Sequence, residues 1–151
     1  MRLSSNTRYA VRILFELSRL PKPVSTAYLA EKTGMTPRTV ENIHAVLRAD
    51  GLTAGIVGAK GGITLLAPLA DISLGELVSL FDNGVEFFAC CGDKANECPS
   101  RTECGIRSVW KTVSQNVQSH LDNISLDAIL QQYPTESRGA VLKKFNPHES
   151  G

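Results

Sequence analysis

A mostly α-helical chain with one small β-hairpin is the fold this sequence predicts, and three observations predict it. Apolar residues recur at helical spacing through the first 50 residues and again from 104 to 122. Serine or threonine caps precede nearly every such stretch. A glycine-rich tip, Gly58-Ala59-Lys60-Gly61-Gly62, separates two short β-prone runs.

Asn6 or Ser5 caps a first helix that runs to about Leu20, with Ala10, Ile13, Leu14, Leu17 and Leu20 on its apolar stripe. Pro21-Lys22-Pro23 ends it. Ser25 caps a short second helix, Thr26 to Thr33, which carries Leu29 and Ala30 inward, and Gly34 makes the turn. Thr36 caps a third helix whose first residue is Pro37, where a missing N–H does no harm; it reaches about Asp50 and stops at Gly51. Two helices joined by a short glycine-containing turn form a helix-turn-helix. Leu52 to Val57 and Ile63 to Leu66 then pair as a hairpin with a basic tip, which makes the unit a winged helix.

Ser73-Leu74-Gly75-Glu76 is a capping box that opens a helix to about Phe81. A long helix from about Cys104 to Asp122 aligns Ile106, Val109, Trp110, Val113, Val117 and Leu121 on one stripe. A stripe that long on a small domain calls for a partner, the same helix of a second subunit, with packing onto its own domain as the alternative. Ser125 to Leu130 adds a short helix. The polar tail from Gln131 has little to order it. The expected organisation is a DNA-binding winged helix-turn-helix over residues 1–82, a cysteine-rich loop over 83–105, a dimerisation helix and short C-terminal helix over 104–132, and a flexible tail over 133–151.

Net charge is +1 overall, but residues 1–60 hold nine Lys/Arg against four acids, a balance of +5 that leaves −4 for the rest. A basic half joined to an acidic half suits one part that faces phosphates and another that faces protein or metal. No apolar run approaches the roughly 18 residues of a membrane span, and no signal-peptide apolar core follows Met1. The expectation is a cytoplasmic chain without a membrane partner, in a compartment where clustered thiols point to metal or redox chemistry rather than disulfides.

All four cysteines fall in one polar stretch, Cys90, Cys91, Cys98 and Cys104, in the pattern C-C-x6-C-x5-C. Thiols used as small hydrophobes would be scattered through a core; gathered in one loop they can converge on one metal centre. The spacing is looser than the tight pairs of zinc fingers, and it is not the bacterial ferredoxin run.

On the third helix Val40, Ile43, His44 and Leu47 share one face, which makes His44 a core histidine. Arg38, Thr39, Glu41, Asn42 and Arg48 fall away from it. With Thr36 at the helix start, the outward residues near the N-terminus, Arg38, Thr39, Glu41 and Asn42, are candidate DNA contacts: Asn42 can pair bidentately with adenine, Arg38 can reach guanine or a phosphate, and Glu41 can accept from cytosine N4. Lys60 at the wing tip suits a phosphate or the minor groove.

Several segments converge in order: Met1 to Arg12, the helix-turn-helix, Gly58 to Gly62, Asp71-Ile72-Ser73-Leu74-Gly75-Glu76-Leu77-Val78, the cysteine loop and Val109-Trp110. Over residues 1–130 the chain closely resembles the IscR/NsrR/CymR family of dimeric winged-helix transcription regulators, the superfamily called Rrf-two. The resemblance implies a homodimer that crosses its long helices and binds a pseudo-palindromic double-stranded DNA operator. It also implies an iron–sulfur cluster, two-iron or four-iron, held by Cys91, Cys98 and Cys104, absent in an apo form, whose state reports iron, oxygen, nitric oxide or cluster supply.

The sequence departs from that pattern in three places. The histidine that completes the site in IscR, three residues after the last cysteine, is Arg107 here. The aspartate that NsrR borrows from the partner's first helix is Arg8, and the usual wing arginine is Val57. The fourth ligand therefore stays open among Cys90, Glu97, Glu103, water and a small thiol. Structural zinc and cluster-free thiol sensing are the competing chemistries. A regulator controlled by a partner enzyme, as in the CymR branch, is an alternative of the same fold. An iron–sulfur electron carrier is the alternative from another class. Against enzymes in general, the chain has no Gly-rich nucleotide loop after a strand, no nucleophile–base pairing and only three histidines.

Overall fold

The structure is a computed structural model that describes residues 3–88 and 104–132. Cys90, Cys91, Cys98, Glu97, Glu103 and the tail lie outside those residues. The elements follow as α1 (Ser5–Ser18), α2 (Thr26–Thr33), α3 (Pro37–Ala49), β1 (Thr53–Ile56), β2 (Gly62–Leu65), a 3-10 turn (Leu69–Asp71), α4 (Leu74–Asp82), α5 (Gly105–Asp122) and α6 (Leu126–Gln131).

Local chemistry explains most of these limits. Ser25, Thr36, Ser73 and Ser125 each accept a backbone N–H of the first turn they cap. The capping box is complete, with Glu76 reaching back to the Ser73 N–H at 3.4 Å. Between α2 and α3, Gly34 takes a left-handed φ of 70°, which lets the two helices turn sharply into one another. The first helix differs from its expected limits: its cap is Ser4, not Asn6 or Ser5, and it ends at Ser18 rather than near Leu20. Three polar residues in a row compete for that position, and a distant side chain decides it, as the contacts of Asp82 show below.

Ala10, Ile13 and Leu14 of α1, Leu29 of α2, Val40 and Leu47 of α3, Leu77 of α4 and Leu126 of α6 are fully buried and meet in one core. The hairpin pairs Thr53 with Leu65 through Ile56 with Gly62, antiparallel. Val24, in the α1–α2 connection, exchanges two backbone hydrogen bonds with Ile63 and adds a one-residue bridge beside β2. The hairpin thus stands against the helical core rather than free of it. After α5, Leu74 donates to Ile124 and Leu126 donates to Ile72, so α6 is drawn back onto the core.

Candidate nucleic-acid interface and thiol site

Thr36 uses its hydroxyl as the cap of α3, accepting from the Thr39 N–H at 3.1 Å and sharing a 2.8 Å bond with the Thr39 hydroxyl. This fixes the start of α3. Arg38, Glu41 and Asn42 are exposed and Thr39 is half-buried, while Val40, Ile43 and Leu47 point into the core. Among the described residues, the side chains of Arg38, Glu41, Asn42 and Lys60 carry no ion pair or hydrogen bond. Their polar groups therefore stand ready for a ligand on one side of α3, with the exposed Lys60 at the tip of the hairpin. Beside it Val57 is fully exposed, so the hairpin tip combines a cation with an apolar side chain.

His44 is half-buried, and its Nδ1 lies 3.1 Å from the Thr53 hydroxyl, joining α3 to β1. Desolvation, and then the charge of Arg48, hold its pKa below the usual histidine range, so the imidazole is neutral at neutral pH. The residue acts as a bracket between the helix and the hairpin, in keeping with a core histidine.

The start of α1 is held from α4. Asp82, the last residue of α4, accepts from the Ser4 N–H at 2.9 Å and from the Thr7 hydroxyl at 2.5 Å. Partial burial raises the Asp82 pKa, but hydrogen bonds from Thr7 and Ser4 outweigh that, and the carboxyl sits below its usual range. No local pattern in the sequence marks this contact, which joins residues 75 or more positions apart.

Of the four cysteines only Cys104 is among the described residues. It is half-buried at the N-cap of α5, and its thiol makes no capping bond. The chain approaching the cysteine stretch packs on the same helix: Phe87 and Phe88 lie with ring centroids 6.2 and 5.0 Å from Trp110. Gln118 of α5 gathers the neighbouring segments. Its Oε1 accepts from the Val85 N–H at 3.1 Å, and Gly75 O, Ser79 Oγ and Asp122 Oδ1 lie within reach of the two Nε2 hydrogens, at 3.0, 3.1 and 2.8 Å. A Cβ on Gly75 would lie 2.6 Å from the Asp122 nitrogen, so only glycine lets α4 approach α5 this closely. No local pattern in the sequence marks Gln118 for this role.

Arginines stand at the two positions where the family's other ligands would be. Arg8 is exposed, reaching Ser5 Oγ at 3.4 Å and lying 5.8 Å from the Tyr9 ring centroid. Arg107 is half-buried, one turn into α5, and its N–H donates to the Cys104 carbonyl at 3.2 Å. Neither side chain is a metal ligand by chemistry. No group of three metal-ligating side chains gathers among the described residues. Likewise, no helix among them is long and apolar enough to cross a membrane. A free thiol at a helix start, continuous in sequence with three more thiols, is donor chemistry that fits a thiolate-ligated group.

Comparison with known proteins agrees with this geometry. A family model described as "Rrf2: Iron-dependent Transcriptional regulator" matches residues 3–132. The HTH-type transcriptional regulator IscR of Vibrio atlanticus is 30% identical over 133 residues, covering 87% of this chain and 76% of the relative. Among solved structures, T. potens IscR superposes with a TM-score of 0.64 at 27% identity, over 87% of this chain and 88% of that one. CymR, the global cysteine regulator of B. subtilis, gives 0.70 at 22% identity over 89% and 99%, a likeness of fold.

Proposed function

The chain belongs to the Rrf2 family of iron-dependent transcriptional regulators, and on that premise we propose that it is a dimeric repressor whose grip on its operator is set by an iron–sulfur cluster. Its family makes it a DNA-binding transcriptional regulator rather than an enzyme. In this reading residues 1–82 read DNA, with Thr36, Arg38, Thr39, Glu41, Asn42 and Lys60 at the duplex, and α5 forms the dimer.

One observation carries the proposal. The thiol Cys104 stands at the N-cap of α5, the helix that leaves Ile106 and Val109 exposed at 59% and 55%. A group bound at Cys104 would thus act on the helix that sets how two reading heads are spaced. Cys91, Cys98 and Cys104 are the assigned ligands, with Cys90, Glu97, Glu103 or an exogenous ligand as the fourth. When bound, the cluster supplies a redox- and ligand-sensitive centre whose loss withdraws its bonds from the thiolates. The chain's own residues do the rest. The Phe87, Phe88 and Trp110 rings pack the segment before the thiols onto α5, and Gln118 ties that segment to α4 and α5.

Anaerobically purified protein tests this directly. Charge-transfer absorption in the visible range, together with an operator affinity that changes when the chromophore is bleached by oxygen or nitric oxide, is the expected result. A colourless protein that binds its operator equally with and without air would favour the cluster-free regulator.

A further inference from the structure

Between the first turn of α1 and the reading face of α3 lies a half-open groove of about 240 Å³, lined by Asn6, Thr39, Asn42, Ile43, Val46 and Phe81. It continues the proposed DNA-reading face, because Thr39 and Asn42 belong to both. Its floor is apolar, with Ile43 buried and Val46 and Phe81 half-buried; its rim carries the exposed amides of Asn6 and Asn42. None of these six side chains is charged.

That neutrality selects among the parts of a duplex. A phosphate would need a cation or unsatisfied N–H groups. No cation stands in the groove's lining: Arg8, the exposed cation of the nearby first turn, lies outside it and reaches Ser5 Oγ, while the Ser4 and Thr7 N–H groups are already taken by Asp82 and by the Ser4 hydroxyl. The Asp82 carboxylate also repels a second anion there. A thymine edge is uncharged and presents an O4 acceptor beside an apolar 5-methyl group in the major groove. Amide donors above an apolar floor complement both.

We propose that this groove is a second base-reading element, which receives the 5-methyl group of a thymine against Val46 and Phe81 while Asn6 and Asn42 address the polar edge beside it. The inference rests on α3 being the reading helix. It adds Asn6, on a different helix, as a specificity-determining residue.

The test uses the full chain and an operator that it selects from randomised duplexes, with each thymine replaced in turn by deoxyuridine and affinity read by fluorescence anisotropy at fixed salt. At least one thymine should lose roughly fourfold in affinity with its methyl, the weight of one buried methyl group. Val46→Ala should cut that loss below about twofold. Val46→Leu, which fills the groove, should make the protein bind the deoxyuridine duplex as well as the thymine one. Asn6→Ala, at an exposed position, should relax base preference at the adjoining pair by roughly fivefold or more. An operator without any methyl-dependent thymine, or a methyl dependence indifferent to both Val46 variants, overturns the groove as a reader; unchanged preference in Asn6→Ala overturns the role of Asn6. Failure to select any operator would instead overturn α3 as the reading helix.

Discussion

Helices α3 and α5 follow the same apolar periodicity and meet opposite surroundings. In α3 Val40, Ile43 and Leu47 are each exposed by 3% or less, enclosed by α1, α2 and β1. In α5 the only buried side chain is Ser114, whose hydroxyl has no hydrogen-bond partner, and one edge of the helix is tied to α4 through Gln118. Its other edge leaves Ile106 and Val109 to solvent. An amphipathic pattern says that a face will be buried; it does not say against which chain. Where the core of one chain cannot supply the cover, a second copy can, and a second copy is the cover proposed for α5.

Substitutions can break the comparison from either side. The largest effect on folding should come from Leu47→Ala, which empties a fully buried position of α3 and should cost about 2–5 kcal/mol in chemical denaturation. A loss under about 1 kcal/mol would mean that α3 is not locked by this core. Val109→Glu on α5 should leave the stability of a single chain within about 0.5 kcal/mol, since the side chain is exposed there. Yet it should disperse the dimer in light scattering, because a charge would enter an apolar interface without a partner. A dimer that survives the change lies on another surface.

On the polar side of α3, Asn42→Ala should narrow the gap between operator and random duplex by about 1–3 kcal/mol, measured by titration. Lys60→Ala should weaken both alike, as a phosphate contact does. An unchanged ratio in Asn42→Ala would move the reading face elsewhere. Asp82, which joins α1 to α4, should give the smallest effect. Its pKa is lowered in the folded chain, so its contribution is present above the ordinary carboxyl value of 3.8 and is lost as pH falls through its own lower value. Asp82→Asn should therefore lower stability modestly at neutral pH, where that contribution is present, flatten the acid limb of the stability curve and converge on the parent at low pH. An acid limb as steep as the parent's would contradict the cap.

The legible part of the fold was the part written locally. Ser25, Thr36 and Ser73 cap where the sequence places them, because each is a hydroxyl directly ahead of a periodic stretch, and the last helix lies within a residue of its expected limits with Ser125 as its cap. The hairpin falls within a residue or two of its expected limits, because glycines bound its tip. What escaped was long-range. Ser4 caps α1 in an arrangement braced by Asp82, and Phe87 and Phe88 leave what read as loop to pack on Trp110. The short turn Leu69–Asp71 carried no cap signal at all. In the candidate sites, exposure of Arg38, Glu41 and Asn42 followed from periodicity, whereas the groove that Asn6 shares with α3 needed the packing of three helices.

A thiol site on α5 that governs DNA reading by α3 is tested most directly by individual serine substitutions at the four cysteines. Each variant is purified without oxygen, assayed for iron and sulfide, and titrated with the operator. Serine at Cys91, Cys98 or Cys104 should remove most of the iron and shift operator affinity to that of the bleached parent. Cys90→Ser should keep both if a carboxylate or exogenous ligand completes the site. Iron content and operator affinity equal to the parent's in all four variants would contradict the coupling of thiols to DNA.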